Sequence, residues 1–247
     1  MSQLSSEPGA GADEQKPEPV ITARGIAMRG PWGPVYGPID LDVEADGVTV
    51  LVAPSGTGRT ALLMTLAGRM RPVRGELTVF GHTRATGIFR SAALAGIDEL
   101  DTVSESVTVR DLVTEQRRWD APWYTLVRRA DEDDLAEVCA PVFGDLPLPS
   151  LTEYFDGLSE LDQILLRIAL ANTKTPPLLV VGNLDHLTDD RNRDVLVGRL
   201  IALGEKQTVI TATVNGVPEH LVPAVRAQLN VPNTTLAELA GAQKGGE

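Results

Sequence analysis

The sequence predicts an α/β fold with a mostly parallel core sheet, antiparallel strands ahead of it and an inserted helical lobe. Three observations carry this. The second half alternates apolar strands with helices of ordinary length, the pattern of a parallel α/β sheet. A continuous β-branched strand, VTVLVA, runs into a Gly-containing loop and then a helix-forming stretch, ALLMTLAGRM. Between Thr108 and about Phe155 the character changes, with Trp119, Trp123 and Tyr124 beside charged helical stretches separated by prolines.

The elements follow in chain order. The opening residues, MSQLSSEPGAGADEQKPEP, are rich in Ser, Pro, Gly and Glu with no apolar export segment, and predict a disordered tail over 1–19. A second tail is expected over 241–247, leaving 20–240 as one domain with a lobe over about 105–160. From Val20 to Val52 the pattern alternates and breaks at Gly and Pro. It predicts short antiparallel strands at Val20–Ala27, Ile39–Val43 and Val48–Val52, the last of a kind buried on both faces. GELTVFGH and Ala93–Ile97 read as strands. LSELDQILLRIALAN reads as a helix, PPLLVV as a buried strand, DRNRDVLVGRLIALG as a helix and QTVITATV as another buried strand.

Composition excludes several function classes. With 247 residues and 43% apolar content the chain can bury a substantial core. A formal net charge of -12, from 34 acidic and 22 basic residues, argues against a nucleic-acid partner beyond a local basic patch. No stretch approaches the roughly 20 apolar residues of a spanning helix, so the chain reads as soluble and a membrane role has to come through a partner. The single cysteine, Cys139, cannot form an internal disulfide and reads as a small buried hydrophobe. His82, His186 and His220 show no metal-ligand spacing.

The strand–loop–helix segment contains Ala53-Pro54-Ser55-Gly56-Thr57-Gly58-Arg59-Thr60, against the P-loop pattern GxxxxGK[ST]. That chemistry needs small residues so that backbone N–H groups converge on phosphate, a helix N-terminus behind them and a hydroxyl for Mg²⁺. Gly56, Gly58 and Thr60 meet it. Ala53 replaces the first Gly, and Arg59 replaces the Lys with a planar fork of the same charge. The competing reading is an ordinary strand-to-helix turn with a solvated Arg.

With its flanks, VTVLVAPSGTGRTALLMTLAGRMRPVRGELTVFGH resembles the first segment of ATP-binding-cassette (ABC) proteins. VTVRDLV is similar to the element opening that family's helical lobe, and LSELDQILLRIALA to its signature stretch. PPLLVVGNLDHLTDD falls where Walker B and the D-loop belong, and TVITATVN where the switch strand ends. The resemblance spans roughly 200 residues in family order, and it implies a P-loop NTPase fold of ABC type, in which two subunits sandwich ATP between one P-loop and the other's signature.

Carried over by position, the resemblance implies that Ala53 to Ala61 hold the nucleotide, that Ser55 to Thr60 contact the phosphates and that Thr60 binds Mg²⁺. Trp32 or Tyr36 would stack on adenine, each with hydrophobic packing as its alternative. Ser159 stands at the signature serine, or is simply a helix N-cap. Glu160 and Leu161 replace two glycines, where they would repel and crowd a partner's triphosphate. Gly182 and Asn183 replace the Walker B Asp and Glu, and Val214 the switch His. Asp98 and Glu99 fall in the stretch expected to hold the Q-loop Gln, and serve a metal or solvent. Asp185 would reach the metal if the loop is rearranged, or else occupies a surface turn near Asp189.

The resemblance further implies a peripheral subunit at the cytoplasmic face of the cell membrane, bound to a membrane-spanning transporter subunit and paired as a homo- or heterodimer. Three activities are open: a working transport ATPase with Walker B moved to Asp185, a nucleotide-binding subunit with weak or no hydrolysis, or a scaffold without nucleotide. A lost general base alone costs roughly 10²–10⁴ in rate, which disfavours the first. The retained Gly56, Gly58 and Thr60 disfavour the third.

Overall fold

The two most continuous apolar runs, around Val48–Val52 and Leu178–Val181, become neighbours-but-one in a single parallel sheet of the computed structural model. The structure describes residues 18–53, 58–97 and 106–231. Apart from Glu18 and Pro19, both predicted tails lie outside those residues.

Strand β1 (Ile21–Gly30) forms an antiparallel hairpin with β2 (Gly33–Val43), and its other edge pairs antiparallel with β4 (Arg74–Val79). The core sheet has the order β5-β6-β7-β3-β8. Its members are β3 (Gly47–Val52), β5 (Ala92–Ala95), β6 (Leu178–Asn183), β7 (Thr208–Thr213) and β8 (Ala227–Asn230), all parallel. The expectation that Val48–Val52 would be antiparallel is thereby corrected. A strand apolar on both faces must be covered on both, and only the parallel sheet offers that.

Alternate residues of the central strands feed two separate cores. Val48 and Val50 of β3, with Leu179 and Val181 of β6, face the core built by α3 (Val109–Asp120), α4 (Glu132–Phe143), α5 (Glu160–Ala171) and α6 (Asp190–Gly204). Leu51, Leu178 and Val180 face the other, which holds α1 (Gly58–Leu66) and the inner side of the antiparallel sheet. Helix α1 therefore lies between the two sheets, its Leu62, Leu63 and Leu66 all buried.

Helices α3 and α4 start where the sequence can close a capping box. Thr108 and Asp111 exchange side-chain and backbone bonds at the first, Asp131 and Asp134 at the second. Helix α2 (Ala85–Ser91) is a short addition with only Ile88 buried.

Candidate functional site

Helix α1 is placed by the strand before it. Ala53, just past β3, is buried and donates its N–H to the Thr213 carbonyl at 3.0 Å, which pins the end of β3 to the end of β7. Pro54, Ser55, Gly56 and Thr57 lie outside the described residues. Gly58 opens α1, and no acidic residue stands in its first turn, so the positive dipole end carries no acidic side chain of its own. Arg59 and Thr60 lie on that turn. The alternative of a solvated arginine does not hold, because the Arg59 side chain is only 10% exposed. Its Nη1 donates to Asn183 Oδ1 at 3.1 Å and to Asp185 Oδ2 at 2.6 Å. Its buried Nε has no hydrogen-bond partner among the described residues.

The opposite wall is the end of β6. The register with β7 slips between Val180 and Asn183, so that three steps along β6 match two along β7. Such a bulge re-aims the residues that follow it. Gly182 is the point of closest approach. A Cβ added there would come within 1.8 Å of the Gly96 carbonyl oxygen, while the Gly182 carbonyl accepts from Thr211 Oγ1 at 2.8 Å. A side chain at this position has no room.

Beyond Asn183 the chain turns through Leu184–His186, and Asp185 is brought inward. Its Oδ1 accepts from Thr213 Oγ1 at 2.8 Å, and its Oδ2 from Val214 N–H at 2.9 Å as well as from Arg59. The surface-turn alternative is corrected: the carboxylate joins the start of α1 to the end of β7. Partial burial pushes the Asp185 carboxyl up, but Arg59, Thr213 and Val214 outweigh this and hold it below the usual carboxylate range.

The remaining sequence candidates separate clearly. Ser159 caps α5, accepting from Asp162 N–H at 3.1 Å and donating to Asp162 Oδ2 at 2.7 Å, which is the N-cap alternative. Glu160 is not left pointing at a neighbour. Its carboxylate accepts from the Thr188 N–H at 3.1 Å and hydroxyl at 2.9 Å, and Leu161 packs partly against the core. Asp189 caps α6.

Tyr36 is withdrawn as an adenine platform, since its ring is buried and its hydroxyl donates to Thr65 Oγ1 at 2.8 Å. Trp32 sits not in a strand but in the turn between β1 and β2, 85% exposed. Cys139 is buried, which pushes its thiol up to about 12. Asp98 and Glu99 lie outside the described residues. Among the described residues no group of three or more His, Cys, Asp or Glu gathers as a metal site, and no helix is long and apolar enough to cross a membrane. The roles of Thr213, Val214 and Thr188 as partners of Asp185 and Glu160 had no signal in the sequence, because each contact joins residues far apart in the chain.

A family model described as "ABC transporter" matches residues 36–183. Over 125 residues the chain is 33% identical to a hemin import ATP-binding protein of Nocardia farcinica, covering 48% of this chain and 42% of that protein. Over 113 residues it is 27% identical to a cytochrome c biogenesis ATP-binding export protein of Pseudomonas putida, covering 43% and 54%. The matches thus span about half the length of these curated relatives. Among solved structures, an ABC transporter ATP-binding protein from Pyrococcus furiosus superposes with a TM-score of 0.64 at 18% identity, over 85% of this chain and 96% of that one. That likeness shows the same fold.

Proposed function

The chain belongs to the ABC transporter family, and we propose that it serves as a nucleotide-binding subunit holding ATP at the start of α1 while hydrolysing it weakly or not at all. The observation that carries this reading is the buried Arg59 on the first turn of α1, held beside a β6 end whose Gly182 and Asn183 carry no carboxylate. Backbone N–H groups, one guanidinium and the Thr60 hydroxyl fit a nucleotide's phosphates. The phosphates and Thr60 would be the ligands of Mg²⁺, which when bound neutralises part of the phosphate charge.

Hydrolysis needs a base beside the attacking water. Gly182 has no side chain, and the Asn183 amide has no useful basicity near neutral pH. Among the described residues Asp185 is the substitute at hand, yet both its oxygens already accept hydrogen bonds, so serving a metal would require it to leave three donors. This favours nucleotide binding over an active ATPase built on Asp185.

The family reading extends to partners: a membrane-spanning transporter subunit, and a second nucleotide-binding subunit, alike or different. Trp119, Trp123 and Tyr124 are 75%, 95% and 74% exposed on and after α3, and we assign the membrane subunit's contact to them. MgATP titration of the purified chain beside Arg59→Ala and Thr60→Ala tests the binding. Saturable binding weakened by both supports it, and identical curves for all three proteins refute it.

A further inference from the structure

We propose that Asp185 competes with phosphate for Arg59, the cation on the first turn of α1, and surrenders it when a nucleotide enters. This rests on the reading that the start of α1 binds phosphates. Arg59 is the cation of that turn, and in the described structure its charge is already matched by a carboxylate at 2.6 Å. An incoming polyphosphate therefore meets a neutral pair with a carboxylate exposed enough to repel it, instead of a free guanidinium.

The carboxylate is firmly set. Thr213 at the end of β7 and Val214 just past it fix the carboxylate, and Asn183 at the end of β6 holds Arg59. Asp185 thus links three places: the first turn of α1, the turn after β6 and the end of β7. When phosphate takes Arg59, the charge that Asp185 balanced is gone, and its bonds to Thr213 and Val214 are the ones left to hold the turn. Nucleotide occupancy is in this way felt at the turn after β6, which Asp185 ties to the end of β7.

Neutralising Asp185 removes the competitor without removing the shape. Asp185→Asn keeps an acceptor for Thr213 or Val214, and Asp185→Ser serves as the second variant should the amide perturb folding. Each is titrated with ATP in EDTA and with MgATP, beside the unchanged chain. The expected result is about fivefold tighter binding of both forms of the nucleotide, the size of effect set by one partly exposed charge. Damage to the fold would weaken binding, so tightening separates competition from a merely structural role. Equal or weaker binding of both forms overturns the proposal and leaves nucleotide binding standing. Weaker binding of MgATP alone also overturns it, making Asp185 a metal ligand. If neither the chain nor its variants bind ATP, the proposal falls together with the reading on which it rests.

Discussion

Arg59 and Asp185 stand 126 positions apart and meet at 2.6 Å, and much of the site's behaviour follows from that contact. Arg59→Ala removes the only side-chain cation on the first turn of α1, and we expect ATP binding to weaken by about 1.5–3 kcal/mol, the range for a charge-assisted bond. Isothermal titration reads this directly. Asp185 also makes stability depend on acid. Its folded carboxyl titrates below its unfolded value of about 4. The stabilisation is therefore in place above about pH 4 and is lost as pH falls through the lower folded value. The difference in melting temperature between the chain and Asp185→Asn should shrink below about pH 4, and a gap unchanged to pH 2 would contradict the ion pair. The residues of this contact were legible singly in the sequence, as a P-loop substitution and a spare carboxylate. Their meeting was not, because it depends on a bulge and a turn that have no sequence signature.

At the scale of elements, the end of β6 has no room for a side chain at Gly182. Gly182 faces the Gly96 carbonyl so closely that any Cβ must move backbone. Gly182→Asp, which would restore the family's residue, is expected to cost about 1–3 kcal/mol through overpacking and to leave ATPase activity unrestored. Chemical denaturation and phosphate release, measured on one preparation, check both halves. A stable and active Gly182→Asp chain would show that β5 and β6 part easily. The sequence marked β3, β6, β7 and α6 well, since long apolar or amphipathic runs are set by burial. It did not mark α2 or β8. Helix α2 buries only Ile88, and β8 is AQLN, a short edge strand held by main-chain pairing to β3. Strand β3 follows a hairpin in the chain yet pairs parallel, because its two apolar faces each have to be covered.

For the whole molecule, the fold is that of the ABC ATP-binding structures, and we propose that its chemistry is reduced to nucleotide binding. Arg59 stands on the first turn of α1, Gly182 lies tight against the Gly96 carbonyl at the end of β6, and Ser159 caps α5 while Glu160 ties Thr188. The exposed aromatics of the α3–α4 segment set a further expectation. Trp123, 95% exposed, can be changed to Ala with stability held within about 0.5 kcal/mol, while copurification with a membrane subunit falls. Loss of folding without loss of copurification would place the docking surface elsewhere. The central claim, binding without effective turnover, is tested most directly by following phosphate release during MgATP titration of the purified chain. Saturable binding is predicted, with release no faster at saturation than that of Arg59→Ala measured in parallel. Brisk release that saturates with binding and disappears in Asp185→Ala would contradict it, and would make this subunit a motor with its Walker B role moved to Asp185.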